Sequence, residues 1–90
     1  MHLYISNLSL DVDEDDLADT FSQFGTVNNI VILKDPITSN RIGGAVVTMP
    51  NKGQANKAIT NLNLTKIKER RVLVSPTTAT GNRRTRSRAN

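Results

Sequence analysis

The chain has no cysteine and no tryptophan, and among its 90 residues it has one histidine, one tyrosine and two phenylalanines. Without cysteine, disulfides and thiolate metal sites are excluded. His2 has no neighbour in the sequence with which to build a triad or a metal site. No apolar run approaches the roughly 20 residues that span a bilayer, so no membrane association is expected. The opening Met1-His2-Leu3-Tyr4 lacks the charged and apolar regions of a secretory signal, so a soluble, cytoplasmic protein is expected. No Ser-His-Asp set, phosphate-cradling glycine loop or pair of catalytic carboxylates is evident, and Gly43-Gly44 alone is no nucleotide fingerprint. A binding module is therefore expected, with no catalytic residue, no metal and no cofactor.

What is present is enough for one domain with a modest core, since hydrophobic residues make up 37% of the chain. The net charge is +4 and is unevenly placed. Residues 1–75 hold eight basic and eight acidic residues and sum to zero, so Arg83, Arg84, Arg86 and Arg88 supply the whole excess. Six of the acids lie between Asp11 and Asp19. They read as helix capping and a solvated face. They lack the glycine and the spacing of a calcium loop. A body polarised in this way, with a basic end, suits a polyanion partner.

Residues 2–7 read as a first strand. Asp13 is a candidate N-cap for a helix whose Leu17, Phe21 and Phe24 share one face, and Gly25 suits its end. Val27 to Leu33 forms a second strand, apolar on both faces. A polar hairpin loop over 34–42 leads to a third strand, Gly43 to Met49. Pro50-Asn51 starts a second helix with Ala55, Ala58, Ile59 and Leu62 on one face. Thr65 to Arg71 is a basic connection. Val72 to Ser75 is a fourth strand, stopped by Pro76. Residues 1–76 are thus expected to form the domain, and 77–90 a disordered basic Arg/Thr tail. The order strand–helix–strand–strand–helix–strand predicts an α+β, ferredoxin-like βαββαβ fold. That fold is a four-stranded antiparallel sheet with both helices on one face.

Two strands carry further information. Leu3-Tyr4-Ile5-Ser6-Asn7-Leu8 is apolar and aromatic and closes on Asn7-Leu8. About forty residues on, the third strand runs from Gly43 to Met49. Together they resemble the paired strand motifs of the RNA recognition motif (RRM) family. The likeness covers residues 2–76. Gly25-Thr26-Val27, Asp35, Thr38 and Gly43 fall at the family's spacing. In size the chain is similar to small single-domain RRM proteins of bacteria and plastids. Those often end in a glycine-rich tail, whereas here the tail holds only Gly81. The family's third strand runs basic, Gly, aromatic, Gly/Ala, aromatic, Val, any, aromatic. Here Gly43, Ala45 and Val47 match. Ile42 stands at the basic position with Arg41 beside it. Gly44 and Val46 replace the two outward aromatics, and Met49 replaces the last.

Strand alternation sends Leu3, Ile5, Ile30, Ile32, Ala45, Val47, Met49, Val72 and Val74 to the core. It leaves Tyr4, Ser6, Val31, Leu33, Gly44, Val46, Thr48 and Leu73 on the other face. The resemblance implies single-stranded RNA on that face. Tyr4 would stack a base, and Val46, Leu33 and Leu73 would pack against its neighbours. Gly44 would let backbone or sugar approach closely. Lys34 and Arg41 would hold phosphate, Lys66, Lys68, Arg70 and Arg71 would form a phosphate-binding edge, and the four tail arginines would add general attraction. Modest affinity and weak sequence preference follow from a single stacking aromatic. Each residue also has a plainer reading. Tyr4 is an ordinary strand former, the loop and connection charges are solvated, the apolar face is merely tolerated, and the tail is a solubiliser. An aromatic-poor apolar face equally suits a protein partner or a homodimer. An acylphosphatase on the same topology would need an arginine after the first strand, and Ser9-Leu10-Asp11-Val12 has none.

Overall fold

The computed structural model of the chain describes residues 1–77. Its elements are β1 (His2–Ser6), α1 (Glu14–Ser22), β2 (Asn29–Lys34), β3 (Arg41–Thr48), α2 (Lys52–Leu62), β4 (Lys66–Ile67), β5 (Arg70–Arg71) and β6 (Leu73–Thr77). The sheet order is β2-β3-β1-β6, with every neighbouring pair antiparallel. This is the ferredoxin-like arrangement expected from the sequence.

Both helices start where their side chains can cap them. The Asp13 carboxylate accepts from the Asp16 N–H at 2.9 Å, and Asp16 returns the bond to the Asp13 N–H at 3.1 Å. Two orphan donors are satisfied at once. Asn51 accepts from the Gln54 N–H at 3.0 Å and starts α2 in the same manner. Leu17 and Phe21 of α1 and Ala55 and Ala58 of α2 are fully buried in one cluster with Leu3, Ile5, Ala45, Val47 and Met49. Phe24, Val27, Ile30 and Ile32 pack against it, partly exposed. No polar or charged side chain is buried among the described residues.

Several details differ from the sequence reading. The third strand begins at Arg41 rather than Gly43, and the second at Asn29 rather than Val27. Their ladder slips between Ile32 and Lys34, so Leu33 stands against a wider stretch of β3. The basic connection contains a hairpin, β4–β5, whose turn residues Lys68 and Glu69 both have positive φ. Two such residues make the tight turn that matches strand twist, which normally calls for Asn and Gly. The last strand runs through Pro76 to Thr77, which pair with Leu3 and His2. Proline is tolerated there because β6 is an edge strand and needs no N–H on its open side. Val72 lies outside that ladder, but its backbone is paired with Leu64 and Thr65. His2, whose position near the chain start suggests fraying, is held by Thr48 Oγ1 2.8 Å from its Nδ1.

Gly25 follows α1 with φ +153, and a Cβ there would collide with the Gln54 side chain. That side chain accepts from the Thr26 N–H at 3.1 Å, so α2 fastens the turn that leads into β2. Gly25→Ala should destabilise the domain by about 2 kcal/mol, from backbone strain and overpacking together. Urea unfolding measures this. A change below about 0.5 kcal/mol would mean that Gln54 simply swings aside.

Candidate functional site

Because β1 and β3 bury alternate residues under the helices, their other residues form an uncovered face. Register places Val31, Val46 and Tyr4 side by side across β2, β3 and β1. Ser6 pairs with Leu73 in the neighbouring row. Tyr4 is 37% exposed, Val31 44% and Leu73 48%, and these are the apolar surfaces that a ligand on this face would meet.

Two expected contributors to the face are not open. Val46 faces outward as parity requires, yet it is only 6% exposed between its neighbours Tyr4 and Val31. Gly44 is buried as well. A Cβ on it would lie 3.2 Å from the Tyr4 hydroxyl and 3.4 Å from Leu33 Cδ1. The space above Gly44 is therefore filled by Tyr4 and Leu33, and no backbone or sugar can approach there without moving them. The Thr48 hydroxyl is taken by His2.

The expected cations separate. Lys34 is exposed at the end of β2, opposite Arg41 in register. Arg41 donates from Nη1 to the carbonyls of Leu10 (2.9 Å) and Val12 (2.7 Å) and braces the segment before α1. Lys68 donates to the Asp11 carbonyl and pairs with Asp16 at 3.2 Å. Arg71 donates to the Leu64 carbonyl. Lys66 is exposed on β4, and its backbone register partner is Arg71. Arg70 bonds to Asn7, the residue that follows β1, and lines a cleft beside Tyr4 together with Arg41. The single phosphate-binding edge expected for Lys66, Lys68, Arg70 and Arg71 is thus divided among different surroundings. Arg83, Arg84, Arg86 and Arg88 lie outside the described residues.

The sequence reading missed Asn7. Its φ is +59, its Nδ2 donates to the Arg71 carbonyl at 2.7 Å, and its Oδ1 accepts from Arg70. An asparagine just after a strand is a fair signal for such a left-handed corner. A cleft of about 550 Å³ opens here, lined by Tyr4, Ser6, Asn7, Leu10, Arg41, Ile42 and Arg70 among others.

The fold on which this face stands is one that known proteins share with this chain. The RNA recognition motif model matches residues 3–73. The chain belongs to the RNA recognition motif family. Over 73 residues this RRM is 33% identical to glycine-rich RNA-binding protein 1 of Mycosarcoma maydis, covering 81% of the chain and 42% of that relative. It spans less than half the length of the curated relatives it matches. Among solved structures, RNA binding protein PG1 is similar at a TM-score of 0.84 and 27% identity, over 91% of this chain and 99% of that one. The Sxl-lethal protein/RNA complex is similar at a TM-score of 0.75 and 28% identity, over 82% and 46%.

Two carboxylates of this RRM are shifted. The Asp13 N–H and then the Lys68 ammonium hold the Asp16 carboxyl below its ordinary range. The backbone N–H groups of Thr38 and Ile37 do the same for Asp35 in the β2–β3 loop. A carboxylate whose folded pKa is depressed adds stability above its unfolded pKa, and loses it as pH falls through the folded value. Asp35→Asn keeps the accepting oxygen but cannot titrate. Between about pH 5 and about pH 2 that variant should therefore lose less stability than the parent chain. Parallel stability curves for the two proteins would refute this.

Proposed function

We propose that this domain is a binding module for single-stranded RNA and not an enzyme. The observation that carries the reading is Tyr4, exposed at the centre of the one sheet face that no helix covers, with Val31 and Leu73 exposed on either side. Its ring offers one stacking platform. The apolar neighbours extend it with surface that any base can lie against. Membership in the RRM family, and the RNA-binding proteins among its relatives and structural neighbours, support the same reading. Arginines 83, 84, 86 and 88 add attraction for phosphate without regard to sequence. With a single aromatic, the affinity is modest and the sequence preference weak. The Tyr4 ring must keep its seat over Gly44 to serve as platform, so the face offers one base position of quality rather than the two or three common in the family.

Tyr4→Ala should cost about 1–3 kcal/mol of RNA affinity, the worth of one stacked base. A fluorescence anisotropy titration with short single-stranded RNA reads this directly. Equal affinities for the two proteins would remove the stacking role.

A second reading is favoured by Val31 and Leu73, large apolar groups half exposed on an aromatic-poor face. Such a face also suits a second copy of this chain or another protein. In that case the parent chain sediments as a dimer at high concentration and Val31→Glu as a monomer. A parent chain that stays monomeric at every concentration would eliminate self-association.

A further inference from the structure

The family pattern places a cation at the start of the third strand, and here that position is Ile42, 61% exposed and uncharged. Arg41 beside it is held by two carbonyls, Lys68 by a carboxylate and a carbonyl, and Arg71 by a carbonyl. Arg70 is different. Its Nε lies 3.2 Å from the Asn7 carbonyl and 3.3 Å from Asn7 Oδ1, and its Nη2 lies 3.0 Å from the same Oδ1. Asn7 is itself locked, because its Nδ2 donates to the carbonyl of Arg71. The guanidinium is thus fixed in place before any ligand arrives. That reduces the ordering cost of binding.

A guanidinium has five N–H donors. Asn7 uses one on Nε and one on Nη2, which leaves three, including both on Nη1. Among the described residues no carboxylate pairs with Arg70. Arg70 stands at the cleft that Tyr4, Ser6, Asn7, Arg41 and Ile42 also line. There Arg41 has both Nη1 donors turned to the carbonyls of Leu10 and Val12, whereas among the described residues both on Arg70 Nη1 are free. Asn7 directly follows β1, three residues beyond Tyr4. Ser6, two residues from Tyr4 on the same face, lies about 7 Å from it along the strand.

We infer that Arg70 supplies the backbone cation that Ile42 does not. Its free N–H groups grip the phosphodiester of the nucleotide whose base lies on Tyr4, in the forked geometry that suits phosphate oxygens. Asn7 is the positioning residue that aims the fork. The inference rests on the RNA-binding reading above and names the residue that anchors the backbone there.

The test uses the full chain and a random-sequence single-stranded RNA octamer, titrated at several salt concentrations. Arg70→Gln should reduce the slope of log K against log salt by about 0.7, the contribution of one phosphate contact on a single strand. Arg70→Lys should keep the slope while binding several-fold more weakly, since the charge stays and the fork is lost. Adding Ile42→Arg to Arg70→Gln should restore the slope. A purely structural arginine would lower the thermal midpoint of Arg70→Gln and leave its slope unchanged, which overturns the inference. If Arg70→Gln does not fold, the Nε–H resonance of Arg70 in the parent chain decides. It should shift on saturation with the octamer, and a stationary resonance overturns the assignment. A parent chain that fails to bind the octamer at all removes the RNA reading and this inference with it. Binding that weakens in Tyr4→Ala and keeps its slope in Arg70→Gln removes the inference alone.

Discussion

Leu3, Ile5, Ala45 and Val47 point to one side of the two central strands and lose all contact with water beneath Phe21, Leu17 and the alanines of α2. Burying a side chain of that size is worth about 1.5–3 kcal/mol relative to leaving it exposed. Both helices are drawn to the same face because only that face offers a complete apolar set. The opposite face is then uncovered as a consequence, and its composition is free to serve a ligand. Register aligns that face as well as the core. The pairing that sets Ile5 against Ala45 also sets Tyr4 against Val46. A slip of one residue would exchange the two faces.

Tyr4 on the uncovered face has two tasks that pull against each other. Its hydroxyl end fills the space above Gly44, and it helps cover Val46. An aromatic ring at residue 44 would compete for that space. The loss of the outward aromatics of β3 and the place of the Tyr4 hydroxyl above Gly44 therefore belong together. With small residues on β3, the one remaining ring settles against the sheet and is still 37% exposed.

Much of this was readable from residue order. Alternation in β1 and β3 identified the core and the open face, Asp13 marked the first helix start by its capping chemistry, and Pro50-Asn51 marked the second. Parity reports direction only. It could not show that Val46, though outward, would be covered from both sides, or that the vacancy at Gly44 would be filled from β1. Pro76 read as a stop because nothing local reveals that β6 is an edge strand. The β4–β5 turn was hidden because Lys68 and Glu69 carry none of the usual turn chemistry. The fate of Arg41 depended on carbonyls some thirty residues away in the chain. Proximity to the family's basic position gave no sign of this bracing.

Charge shows the same difference between a sum and a placement. Residues 1–77 carry as many acids as bases, yet most of the acids lie before and along α1. At physiological salt, exposed charges are largely screened beyond about 8 Å. Those acids lie on the helix side of the sheet, so a strand of RNA on the open face would meet none of them directly. What it would feel is local. Lys68 is paired with Asp16 at the start of α1, and Arg41 and Arg71 are turned to carbonyls. A neutral body can thus still present a cation where it matters, provided the fold spends its acids elsewhere. The reciprocal hold between Asn7 and the Arg70-Arg71 pair does this by keeping one guanidinium beside Tyr4 without an acid to neutralise it.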